Sequence, residues 1–279
     1  MTTLPPDRWI VRAMDTVFSF AIPRTPEHID LAALVSAITD DLEAIESTLS
    51  VFRPDSEINR WSRGQLADDQ LDAGTREVIA ACDRLEMLTG GLFAARRDGR
   101  YDPTGYVKGW ALARAAATLD GAGATSYCLN GGGDIIARGS GPHGVPWRVG
   151  VAHPYRAGEL ATIVTAIPGD VRPMAVATSG TSERGRHIVE PTCGWRPTRS
   201  AVTVVGHDIA FADAIATAAL AAGRQGPGAS IQLVQNLGMD AFGFDEDGRP
   251  WWTPGMADHA LLPRRTSESP YARTLEKVS

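Results

Sequence analysis

The sequence is short of cysteine. Its 279 residues hold three, Cys82, Cys128 and Cys193, widely spaced and odd in number. They make neither a zinc pattern nor a disulfide framework. Cys82 falls on the apolar stripe of an expected helix and Cys128 in a short apolar run, so both are expected to be buried. Cys193 lies in a turn-rich segment with no neighbour that marks it as a nucleophile. There is no basic surplus either: 27 Lys and Arg stand against 33 Asp and Glu, a formal net charge of −6. A nucleic-acid groove normally brings the opposite balance, so no nucleic-acid partner is expected. No apolar run reaches the roughly 18–20 residues of a bilayer crossing, so no membrane span is expected. The N-terminus, MTTLPPDRWIVRAMDTVFSF, shows no charged segment leading into an apolar one and no cysteine to take a lipid. A cytoplasmic location is the expectation. Two catalytic signatures are missing as well. Ser179 before Gly180 is not a G-x-S-x-G elbow, which argues against a hydrolase nucleophile. The glycines of LNGGGD lead into strand-like IIARG rather than a helix, which argues against a dinucleotide-fold fingerprint.

What is present suffices for a large core: 43% of the residues are hydrophobic and 22% charged. One domain over residues 1–262, built as one body or two interleaved lobes, is expected, followed by a polar, disordered tail over 263–279. Residues 9–22 alternate and predict a strand. Helices are predicted at 29–49, 75–89, 105–120, 210–222 and 228–237, with the loop FRPDSEINRWS after the first. The centre is different: YCLN, GDIIARG, WRVGVAH, ATIVTAI, MAVATS and AVTVV are short and β-rich, and AFGF-DEDG-RPWWT reads as a hairpin. Their connections are too short for repeated crossovers, so the class is α+β with an antiparallel sheet core and flanking helices.

Four segments carry candidate chemistry. In FADAIATAAL, Asp213 and Thr217 are four apart and project from one helix face, offering two hard oxygens suited to Mg²⁺. The bland alternative is a dipole-favouring aspartate and a threonine bonded to its own helix. In YDPTGYVKGW, Gly105 can aim a carbonyl into a cavity, Lys108 can reach a phosphate, and Asp102 can accept from a ligand; a capped helix with a solvated lysine is the alternative. LNGGGD places Gly131, Gly132 and Gly133 between Asn130 and Asp134, either a close backbone approach to a ligand or a tight hairpin. ATSGTSERGRHIVEPTCG supplies Thr178, Ser179, His187 and Glu190; His187 is a candidate base or phosphate donor, or a hydrogen-bonded sheet residue.

In this order the segments resemble the ApbE-like family, the FAD:protein FMN transferases, over nearly the whole chain to about residue 255. Asp102 to Gly109 is similar to its D-x-x-G-x-x-K-G, Asn130 to Asp134 to its N-x-G-G-D, and Trp147 to Pro154 to the W-x-V-G-x-x-x-P strand that follows. Ala177 to Gly180 with His187 to Pro191 is similar to its A-T-S-G and H-I-x-x-P, and Ala212 to Thr217 to its A-D-A-x-A-T. FRPDSEINR resembles the family's Y-x-P-x-S-E loop. The resemblance implies a divalent ion, usually Mg²⁺, on Asp213, Thr217 and the Gly105 carbonyl. It implies FAD contacts at Asp102 and Lys108 and near Asn130, Gly132, Gly133 and Asp134. Met14, Phe52, Phe93, Ser179 and His187 complete the implied flavin and pyrophosphate surroundings. His187, Asp213 and Lys108 are the implied catalytic groups.

The implied reaction is Mg²⁺-dependent transfer of FMN from FAD to a threonine or serine hydroxyl of an acceptor flavoprotein, with release of AMP. FAD hydrolysis to FMN and AMP at the same site, and non-catalytic FAD binding, are the alternatives. The chain departs from the family pattern in places. MDT stands for M-G-T, Ala94 for the carboxylate of G-x-F-D, and Glu190 and Cys193 for the aspartate and threonine of the histidine segment. The segment before Asp102 is shorter than in many relatives.

Overall fold

A computed structural model describes residues 7–26, 29–97, 99–181, 194 and 200–262. The chain begins with two strands, β1 (Arg8–Ala13) and β2 (Thr16–Arg24), where a single strand over 9–22 is predicted. The break is local: Met14 and Asp15 both adopt positive φ, 55° and 54°, so the chain turns back and Ala13 pairs with Thr16. Two successive left-handed residues make the tight turn that joins twisted antiparallel strands. The alternation survives across the turn, which is why the sequence reads as one strand.

Helix α1 (Leu31–Leu49) starts where Asp30 accepts hydrogen bonds from the Ala32 and Ala33 amides, and it buries Val35, Ile38, Leu42, Ile45 and Leu49. The expected loop after it contains a short helix, α2 (Glu57–Ser62), capped by Ser56 accepting from the Asn59 amide. The signal was a serine cap before an acidic first turn, carried by too few residues to show periodicity. Then follow α3 (Ala73–Leu88), the small pair β3 (Arg96–Arg97) and β4 (Arg100–Tyr101), and α4 (Thr104–Gly121). The strands β5 (Ser126–Gly131), β6 (Asp134–Arg138), β7 (Arg148–Ala152), β8 (Leu160–Thr165), β9 (Met174–Gly180) and β10 (Ala201–Gly206) stand where the β-rich runs predict them. After α5 (Ile209–Ala222) and α6 (Pro227–Asn236), β11 (Asp240–Phe244) and β12 (Pro250–Trp252) form the expected hairpin, and α7 (Met256–His259) closes the described chain.

Eight strands form one antiparallel sheet in the order β1-β2-β5-β6-β9-β10-β11-β12, while β7 and β8 pair separately. Period-two alternation gives the sheet two buried faces. Ala175, Ala177, Val204 and Ala241 face the helices; Met174, Val176, Val205 and Phe242 face a second cluster with Val149, Val151 and Val164 of the β7–β8 pair. α5 lies against β9 and β10, and α4 against α5. The architecture is thus α+β, as expected. Among the described residues no helix is long and apolar enough to cross a membrane. The predicted tail over 263–279 lies outside the described residues.

Candidate active site

A close approach of α4 to α5 sets the site. A Cβ on Gly109 would come within 2.6 Å of the Ile209 carbonyl oxygen and 2.8 Å of the Ala210 Cα. Only glycine lets α4 lie this near to α5. The contact brings the Gly109 amide to the Asp213 carboxylate, Oδ2, at 3.1 Å. In an unbroken helical turn that amide donates to the carbonyl of Gly105, so Asp213 competes for the donor of the Gly105 oxygen.

Thr217 sits one turn beyond Asp213. Between Ala212 and Ala222 it is the one residue of α5 not fully buried. Its hydroxyl lies 3.4 Å from the point where a Gly105 Cβ would stand, and 3.1 Å from the Ser179 hydroxyl of β9. Gly105, Asp213, Thr217 and Ser179, distant in the sequence, therefore share one surface between α4, α5 and the sheet. Phe93 is buried beneath them, its ring edge 3.2 Å from the same Gly105 point.

Lys108 is held between two carboxylates. Its Nζ contacts Asp134 Oδ2 directly and lies 3.2 Å from Asp213 Oδ2. Asp134 is 1% exposed, and its other oxygen accepts from the Thr178 amide at 3.0 Å. That bond extends the sheet one step past the last β6–β9 pair, Ile135 with Val176. Two buried carboxylates against one ammonium leave an excess of negative charge. Such a set favours a cation and disfavours a bare phosphate.

The glycine segment forms a tight hairpin: Gly131 pairs with Asp134, Gly132 and Gly133 turn at φ 58° and 98°, and Asn130 Oδ1 accepts from the Gly133 amide. Its Gly132 amide donates to the Val17 carbonyl at 3.2 Å. A Cβ on Gly132 would stand 2.7 Å from Thr16 Oγ1 and 3.5 Å from Lys108 Cδ. The hairpin tip is therefore part of the Lys108 surroundings.

The other predicted residues are placed as follows. Asp102 is exposed, and one of its oxygens caps α4 by accepting from the Thr104 amide and hydroxyl at 3.0 and 2.6 Å. Met14 is half-buried in the β1–β2 turn. Phe52 is 77% exposed, beyond the end of α1. His187, with Glu190 and Cys193, lies outside the described residues. Burial pushes the thiol of Cys82 up to about 12 and that of Cys128, only half-buried, to about 11, so neither is a nucleophile near neutral pH.

Sequence reasoning missed two residues. Thr16 packs at the glycine tip, and Glu46 of α1 accepts from the Met14 amide at 2.7 Å. Thr178, a candidate from the sequence, anchors Asp134 through its backbone amide. A carboxylate bordering the apolar stripe of α1 was the available signal for Glu46.

The residues present fit a hard divalent ion. Among the described residues no three His, Cys, Asp or Glu side chains converge on a possible metal position. The Asp213 carboxylate and the Thr217 hydroxyl, one turn apart on α5 and with Thr217 beside Gly105, offer hard oxygens instead, which suit Mg²⁺ better than zinc.

Known proteins resemble this chain over most of its length. The ApbE family matches residues 14–97 and 94–242. A Vibrio cholerae protein named FAD:protein FMN transferase is 25% identical over 272 residues, covering 76% of this chain and 80% of the relative. A Rhodobacter capsulatus protein of the same name is 36% identical over 200 residues, covering 66% of this chain and 36% of the relative. Among solved structures, the flavin transferase ApbE of Vibrio cholerae superposes with a TM-score of 0.76 at 21% identity, over 90% of this chain and 98% of that one. The ApbE protein of Thermotoga maritima does so with a TM-score of 0.78 at 19% identity, over 90% and 97%.

Proposed function

We propose, from the premise that this chain belongs to the ApbE family, that it is an FAD:protein FMN transferase acting on a threonine or serine of an acceptor flavoprotein. The acceptor hydroxyl oxygen bonds to the FMN phosphorus. The bridging bond to the AMP phosphate breaks, AMP leaves with that electron pair, and the hydroxyl proton passes to a base. Alignment and charge neutralisation dominate the barrier of such a step. The Asp213 carboxylate, the Thr217 hydroxyl and the Gly105 carbonyl would hold a Mg²⁺, which would supply charge neutralisation when bound.

The protein's own groups do the rest. Lys108 and the Gly109 amide tie down one Asp213 oxygen, which fixes the direction of the other. Lys108 also offsets part of the carboxylate charge where the FAD phosphates approach. Asp213 and His187 are the two candidate bases. Ser179 orients the Thr217 hydroxyl from the sheet side. The Gly132–Gly133 tip lets backbone approach the ligand, and Asp102, Asn130, Asp134, Met14, Phe52 and Phe93 complete the flavin surroundings.

One observation carries this reading: Thr217 and Gly105 share a surface with Asp213, an arrangement a purely structural helix contact does not require. Incubation with FAD, Mg²⁺ and a candidate acceptor, read by mass spectrometry of the acceptor, should show an added FMN phosphate. Asp213→Ala should slow the labelling at least about 100-fold. Labelling by Asp213→Ala at the wild-type rate overturns the assignment. FMN and AMP release without acceptor points to a pyrophosphatase instead, and intact FAD in the presence of both points to a binding protein.

A further inference from the structure

The geometry points to Glu46 as a positioning residue that clamps the Met14–Asp15 turn and through it sets the shape of the FAD site; this rests on the transferase reading above. The turn is the one place in the β1–β2 pair where two successive residues with a Cβ occupy the left-handed region, at φ 55° and 54°. Aspartate is among the residues that visit this region; methionine gains nothing there locally. A conformation so disfavoured persists only where its surroundings over-determine it. Glu46 Oε2 provides the restraint from outside the hairpin by accepting from the Met14 amide at 2.7 Å, a charge-assisted bond spanning from α1 to the turn. The carboxylate is itself held on a well-buried helix, with Ile45 and Leu49 beside it at 4% and 3% exposure.

The turn is tied to the site on its other side. Thr16 follows it directly, and Thr16 Oγ1 is 2.7 Å from the point a Gly132 Cβ would occupy, with Lys108 Cδ 3.5 Å from that point. Val17 then accepts from the Gly132 amide at 3.2 Å. A shift of the Met14 turn therefore moves Thr16 and Val17 against the glycine tip, and the glycine tip against Lys108. Glu46 touches none of Lys108, Asp134 and Asp213 in this chain of contacts; it acts through the backbone it holds.

The test compares Glu46→Ala with Glu46→Gln, whose amide oxygen can still accept from Met14. FAD affinity is read by quenching of flavin fluorescence, transfer by FMN labelling of an acceptor, and the Met14 amide by hydrogen exchange. Glu46→Ala should speed Met14 exchange and weaken FAD binding about tenfold, with the rate at saturating FAD changed less than about twofold; Glu46→Gln should stay near wild type in all three. If Glu46→Ala does not fold, Glu46→Asp, which keeps the charge but shortens the reach, should show the same losses. Equal FAD affinity in wild type and Glu46→Ala overturns the positioning role and leaves the transferase reading standing. Equal losses in Glu46→Ala and Glu46→Gln overturn the hydrogen-bond clamp. A wild-type protein that binds no FAD overturns both this inference and the reading it rests on.

Discussion

Two hairpin turns meet beside Lys108, and they reach the same backbone hand by opposite means. The β5–β6 turn is Gly132–Gly133; the β1–β2 turn is Met14–Asp15. Positive φ alone cannot explain the difference, because both turns have it. Space explains it. Asp15 is exposed, so its side chain leaves toward solvent. Gly132 faces Thr16 at a distance no real Cβ tolerates. The glycine turn is thus dictated by what lies opposite it, while the Met-Asp turn is held by a bond from elsewhere. The supports differ too: the glycine turn stands on the buried Asp134, the Met-Asp turn on the half-buried Glu46.

The strongest way to break the contrast is to remove the buried support. Asp134→Ala strips the Thr178 amide of its acceptor and Lys108 of one partner, and should cost about 3–5 kcal/mol in urea unfolding. Retained stability would mean that the ionic base is dispensable. Gly132→Ala should cost about 2 kcal/mol, the sum of left-handed strain and the collision with Thr16. Adding Thr16→Ala to it should return about 1 kcal/mol, read as non-additivity in a double-mutant cycle; strict additivity would show that space is not the reason for glycine. The smallest effect belongs to the exposed turn. Asp15→Gly should shift stability by less than about 1 kcal/mol, with no collision to relieve. A change as large as that of Gly132→Ala would erase the distinction between the turns.

Much of the frame was legible because it repeats. The stripe Val35, Ile38, Leu42, Ile45, Leu49 announces α1, and the short β-rich runs announce an antiparallel sheet. What escaped is short or non-local. α2 is too brief for periodicity, and the Met14–Asp15 turn leaves the alternation on either side intact. Asp213 and Thr217 were readable as one helix face, but their meeting with Gly105 depends on how closely α4 approaches α5, which no window of sequence contains. The Lys108 pairings are of the same kind: the local pattern shows a lysine at a helix start, and only the folded sheet brings Asp134 to it. Glu46 is the hardest case, since its partner is a backbone amide that any residue could supply.

The missing side chain at Gly109 also bears on how this site can diversify. Its empty volume works as a gauge block between the two helices. A single methyl there must push α5 outward, and Thr217 and Asp213 would travel with it, away from Gly105 together. Variants of the pocket are therefore easier to reach by changing the loops around it than by widening this seam. In a library built on this scaffold, position 109 should be the one that returns glycine even when its neighbours are free to vary.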